Sequence, residues 1–151
     1  MAADLTTTIT ESVVLNGALR GNTNTVTTTG INNVFERIVG CTHSQTTTVA
    51  VFDTAPYTSA GAIDVENVRY IRITNLDTTV ALVLAVVTTA TNYQVRLTPG
   101  TSHILSRGSE TAIGEVDVTP AFGTMQDLTS LQVRPEGASV SPQVAVFVGA
   151  V

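Results

Sequence analysis

Lysine and tryptophan are absent from the 151 residues, cysteine occurs once, and charged side chains make up only 13% of the chain. Each shortage excludes something. Without lysine there is no side-chain amine for a Schiff base and none for a phosphate-binding loop. A single cysteine, Cys41, cannot close an internal disulfide, so nothing marks an oxidising compartment and assembly inside a cell is the default expectation. The start Met1-Ala2-Ala3-Asp4 puts an acid where a signal peptide carries positive charge, and no signal peptide is expected. The longest unbroken apolar run, residues 80–87, has eight residues, against about 20 for a membrane helix, so no membrane span is expected. Seven arginines face twelve acidic residues, for a net charge of −5. The arginines are scattered rather than striped, and a phosphate backbone would be repelled on average, so nucleic acid is not an expected partner.

What the chain has in excess is threonine, 27 residues, and valine, 22. Both are β-branched and pack well on a pleated surface. Apolar and polar residues alternate with period two, and Gly or Pro interrupts them at short intervals, as at Gly17, Gly40, Pro56, Pro99 and Pro135. This predicts an all-β fold. Strands are expected over 46–52, 68–74, 79–87, 92–97, 102–106, 128–134 and 143–150, with Val49 and Val51 inward on the first and Arg69, Ile71 and Ile73 sharing a face on the second. Weaker strands are expected over 5–15 and 23–29. Residues 33–40 carry Val34, Phe35, Ile38 and Val39 at helical spacing, yet two turns are too short for a self-supporting helix and a strand is preferred. A turn is expected at Asn75-Leu76-Asp77-Thr78, and a corner at Pro99-Gly100. The strand over 79–87 is apolar on both faces, so it lies centrally in a two-layer fold or is covered by another subunit. Eight to ten strands suit an antiparallel β-sandwich or jelly roll over residues 13–151, preceded by a Thr-rich N-terminal arm over 1–12. Thr-Thr-Thr recurs at 6–8, 27–29 and 46–48 without matching flanks, which does not support a repeat.

Catalytic patterns are missing. No Gly-x-Ser-x-Gly elbow, Gly-x-Gly-x-x-Gly turn, P-loop or His-Glu-x-x-His occurs, so no enzyme activity is expected. Cys41 and His43 stand two apart, facing one way if they lie on a strand, but a zinc site needs about four ligands and the remaining imidazole, His103, is far along the chain. An ordinary structural role is expected for all three, and no metal or cofactor. Glu115 and Asp117 would share a strand face, as solvated acids rather than a calcium site or an acid–base pair. Arginine is favoured at protein interfaces and lysine depleted there, so a lysine-free chain fits heavy interface use. Arg69, Tyr70 and Arg72 mix charge and aromatic surface. Leu5, Thr6, Thr7, Thr8 and Ile9 can add to a neighbouring sheet edge through their backbone. These eight are the candidate interface residues.

The segment Val68-Arg69-Tyr70-Ile71-Arg72-Ile73-Thr74-Asn75-Leu76-Asp77 is followed by an apolar strand and by Leu97-Thr98-Pro99-Gly100-Thr101-Ser102-His103-Ile104-Leu105. Asp127-Leu128-Thr129-Ser130-Leu131 and Val144-Ala145-Val146-Phe147-Val148 complete the order. Over residues 65–151 this resembles small virion structural proteins of tailed bacteriophages, cyanophages in particular. The resemblance implies a capsid decoration (cement) protein, a homotrimer bound to the major capsid protein on the head exterior and assembled in the host cytoplasm. The alternative is a tail, fibre or head-spike module that binds a host glycan or other virion proteins. A cellular sandwich-type binding module or small hydrolase is a further one.

Overall fold

Where β-branched and apolar residues alternate with polar ones, the chain is extended, and the computed structural model, which describes residues 1–58, 61–113 and 123–151, follows the sequence pattern closely. It opens with β1 (Ala3–Thr10), a tight hairpin of β2 (Val13–Leu15) and β3 (Ala18–Arg20), and β4 (Thr23–Ile31), which returns antiparallel along β1. Then come β5 (Asn33–Gly40), β6 (Thr47–Asp53), β7 (Ala62–Asp64), β8 (Val68–Asn75), β9 (Leu82–Thr88) and β10 (Asn92–Leu97). β11 (Ser102–Leu105), β12 (Ala112–Ile113), β13 (Met125–Gln126), β14 (Leu128–Pro135) and β15 (Gln143–Ala150) complete the described strands. Their number, fifteen, exceeds the expected eight to ten because β2, β3, β7, β12 and β13 are pieces of two or three residues. Residues 33–40 are strand, with Phe35 and Val39 packed on the core and Val34 and Ile38 facing out. The expected acidic pair Glu115 and Asp117 lies outside the described residues.

The fold is an all-β sandwich. One sheet has the order β10-β9-β14-β6-β7, antiparallel except where β6 meets β7; the other, antiparallel throughout, has the order β11-β8-β15-β5. A single core lies between them. Leu82, Leu84, Val86, Leu131 and Val133 from the first sheet meet Ile71, Ile73, Val144, Val146 and Val148 from the second, all with 1% exposure or less. Each such side chain contributes about 1.5–3 kcal/mol by leaving water.

Two bulges change faces that strict alternation assigns. Between Leu131 and Gln132 the β6 register slips so that Val49 is an extra residue. Ala50 and Phe52 therefore turn inward beside the buried Val49, and Val51, expected inside, faces out. A second slip, between Gly149 and Ala150, skips Arg69. Val68 takes the inward position next to it and Arg69 stays exposed, rather than sharing the buried face of Ile71 and Ile73.

The expected turn and corner are a single knot built on Asn75, which is fully buried. Its Nδ2 donates to Val80 O at 2.9 Å and Leu97 O at 3.1 Å, and its Oδ1 accepts from Asp77 N at 3.0 Å. Its backbone N–H donates to Thr101 O and its C=O accepts from Gly100 N. Gly100 sits at φ +76 after Pro99, a conformation glycine takes without cost at a type II turn. Asn75 thus ties the end of β8 to the starts of β9 and β11.

Residues 1–31 form a two-stranded ribbon. The expected arm over 1–12 is paired along Ala3–Thr10 with Thr23–Ile31, so the boundary at residue 12 falls within the ribbon. Thr6 faces Thr27, Thr8 faces Thr25 and Thr10 faces Thr23. Thr8 and Thr25 join their hydroxyls at 3.2 Å, and Thr23 donates to Thr10 at 3.3 Å. The first two threonine triplets lie on the two strands of one ribbon and meet at the Thr6–Thr27 pair.

Candidate functional site

At the root of the ribbon, alternation splits β1 into two faces. Thr6, Thr8 and Thr10 belong to the threonine ladder facing water, while Leu5 and Thr7 are half-buried towards the four-stranded sheet. The root packs over Gly149 of β15, where an added Cβ would lie in ordinary contact at 3.5 Å from Leu5 and 3.5 Å from Ile31.

Beyond the root, the ribbon and sheet diverge around a groove of about 470 Å³. Leu5, Thr6, Thr7, Thr8 and Ile9 form one wall. Opposite them are Tyr70 and Arg72 of β8, Phe147 of β15, Glu36 of β5 and Ser102 and Ile104 of β11. Tyr70 and Phe147 meet edge to face, with ring centroids 6.0 Å apart. The Arg72 guanidinium lies 5.8 Å from the centre of the Phe147 ring, within cation–π range. Its Nε is buried and has no hydrogen-bond acceptor among the described residues. A buried donor without an acceptor costs about 1–3 kcal/mol, which an incoming carboxylate or carbonyl would recover.

Seven of the eight candidate interface residues line this groove: Leu5, Thr6, Thr7, Thr8, Ile9, Tyr70 and Arg72. Arg69 does not. Its Nη1 donates to Glu66 O at 2.7 Å and Val68 O at 3.1 Å, tying it to the turn before β8.

Of the residues singled out for chemistry, Cys41, His43 and His103 do not line the groove. Gly40 ends β5, so Cys41 and His43 lie in a turn rather than on one strand face. The Cys41 thiol is buried 3.8 Å from Val39 O, and burial pushes its pKa up to about 11, which makes it a poor nucleophile. His43 lies 3.5 Å from the Ser44 hydroxyl. His103 Nε2 is 3.1 Å from the Tyr93 hydroxyl, and burial lowers its pKa below the ordinary value of 6.5. Among the described residues, no three His, Cys, Asp or Glu side chains gather to hold a metal ion, and no helix is long and apolar enough to cross a membrane.

One element escapes the residue-by-residue search for functional groups, the ribbon's tip. Asn16 at φ 51 and Gly17 at φ 76 form the two-residue turn between β2 and β3. Both φ values suit a type I′ hairpin, for which Asn-Gly is the strongest short signal. The signal was present between Val13-Val14-Leu15 and Ala18-Leu19. Reading 5–15 as one continuous strand hides it. Gly21, at φ +112, lets the chain between β3 and β4 pass close against the Glu11 backbone, because a Cβ there would fall 2.1 Å from Glu11 O. The tip presents Val13, Val14, Leu15 and Leu19 to water at 58–72% exposure.

Comparison of the chain with protein families, with curated proteins and with solved structures finds no match in any of the three.

Proposed function

We propose that this chain is a non-enzymatic virion structural protein of a tailed bacteriophage, a capsid decoration protein that binds the exterior of the assembled head and stabilises it. The observation that carries the reading is the ribbon. Every residue from 8 to 27 is exposed, although both ends of the segment are paired strand. A lone two-stranded ribbon is marginal in water, and large apolar residues at its tip add to the cost of leaving it bare. Such an element suits a protein whose working state is an assembly. A second patch, Val34 and Ile38 on β5, which is an edge strand among the described residues, offers backbone and apolar contacts to another chain. The resemblance of residues 65–151 to small phage virion proteins supplies the identity of the partner, the major capsid protein, and of the site, the head surface.

A decoration protein works by linkage: it binds the assembled head better than the free subunits, and so shifts disassembly to harsher conditions. Co-sedimentation of the whole chain with undecorated heads tests this. The expected result is saturable binding, density spread over the head in electron micrographs, and heads that survive to higher temperature. Absence from heads together with binding to a glycan array would favour the tail or spike module instead. A chain lacking residues 1–29 should stay folded and bind heads weakly. Removing only 1–12 would strand β4 without its partner, so the longer deletion is the cleaner variant.

A further inference from the structure

We infer that the chain associates with itself head to tail, the ribbon tip of one copy entering the groove between ribbon root and sheet of the next. The inference rests on reading the chain as an assembly protein and names one contact of that assembly. Shape is the first argument. Val14 and Leu19 are opposite one another on one face of the tip, and Val13 and Leu15 lie on the other, opposite Arg20 and Ala18. A plug that is apolar on both faces needs a slot with two walls rather than a flat patch. The groove is such a slot: Leu5 and Ile9 stand on the ribbon side, and Phe147, Tyr70 and Ile104 on the sheet side.

Charge is the second argument. The tip, residues 11–22, carries two charged side chains, Glu11 and Arg20. The groove also carries two, Arg72 and Glu36. Acid and base on the plug face base and acid on the slot, and the buried Arg72 Nε–H lacks the acceptor that a glutamate carboxylate provides. Connectivity is the third. The root of the ribbon is itself one wall of the groove, and the exposed stretch between root and tip is about 25 Å long at about 3.3 Å per residue. Residues 11–22 are all exposed and so do not occupy the chain's own groove, and a tip in this slot comes from another molecule. The contact joins two different surfaces, which makes it heterologous, and it closes a ring when the rotation between copies permits.

Sedimentation velocity on the full chain tests this with two single variants, Leu19→Glu in the tip and Arg72→Glu in the slot. Wild type should sediment as an oligomer and each variant as a monomer, with circular dichroism and melting temperature unchanged. The mixture is the sharper test. The Arg72→Glu chain keeps a sound tip and the Leu19→Glu chain a sound slot, so combining the two monomers should produce one-to-one dimers. A wild type that stays monomeric at high micromolar concentration, variants that assemble like wild type, or a mixture that remains monomeric would each overturn the inference. A monomeric wild type that still decorates heads would overturn it while leaving the proposed function standing. In that case loss of head binding in Arg72→Glu would assign the slot to the head.

Discussion

The ribbon over residues 1–31 and the sandwich that follows it are written in the same alphabet, alternating threonine with valine, leucine and isoleucine, yet they differ in what the alternation meets. In the sandwich, the apolar face of each sheet finds the apolar face of the other, and Ile71, Leu84, Leu131 and Val146 are wholly removed from water. In the ribbon, the same alternation separates a threonine ladder from an apolar face that, among the described residues, is covered at the root, through Leu5 and Ile31 against Gly149. Pairing of strands is therefore a local matter, settled by β-branched residues and turn chemistry. Stability is not, because it needs a second layer. Under the proposed function, that second layer comes from another molecule.

Core truncation should separate the two regions most widely. Leu84→Ala, at a site with no exposure, should cost about 3 kcal/mol. Leu15→Ala, at 61% exposure on the tip, should stay within about 0.5 kcal/mol. Urea unfolding of the two variants checks this, and equal losses would mean that the tip is already buried in the free chain. Asn75→Ala comes next, at about 2–3 kcal/mol, because the buried Leu97 O and the partly buried Val80 O and Asp77 N all lose their partner.

Acid should act on the sandwich in two windows. His103 has its pKa lowered by burial, so the unfolded chain binds the proton more readily. Stability is complete above about 6.5, the ordinary value, and declines as pH falls below it. Asp77 at the β8–β9 turn has its pKa lowered below the ordinary 3.8, chiefly by the N–H of Val80 and then that of Thr79. Its contribution is complete above 3.8 and fades as pH falls further. Melting temperature against pH should show both slopes, and His103→Phe should remove the one nearer neutrality. The smallest global effect belongs to Gly21→Ala. Its Cβ cannot coexist with Glu11 O, so the tip hairpin should lose its order by NMR while the melting temperature of the sandwich holds.

Much of the sandwich was legible in the residues. β10 and β15 run over the expected 92–97 and 143–150, and the Asn75 turn and Pro99-Gly100 corner fall where side-chain chemistry puts them. What alternation cannot encode is a slip in register. The bulges beside Val49 and Arg69 arise from pairing with distant strands, and they turn Val51 outward and leave Arg69 off the face shared by Ile71 and Ile73. The groove was half legible. The apolar side of β1 and the Tyr70–Arg72 pair stood out as residues, but only the fold of β4 back along β1 sets the wall above the floor. The tip was signalled by Asn16-Gly17, and its exposure becomes evident only once the sandwich shows that no second layer among the described residues reaches it.

The central claim is that the ribbon is uncovered in the free chain and covered in the assembled one. Amide hydrogen exchange read residue by residue, on the free chain and on the chain bound to heads, tests it most directly. Amides of residues 8–27 should exchange rapidly in the free chain and become strongly protected on assembly, while those of β8, β9, β14 and β15 are protected in both. Ribbon amides already as protected as β9 in a monomeric chain, or still unprotected in the assembled particle, would contradict the account.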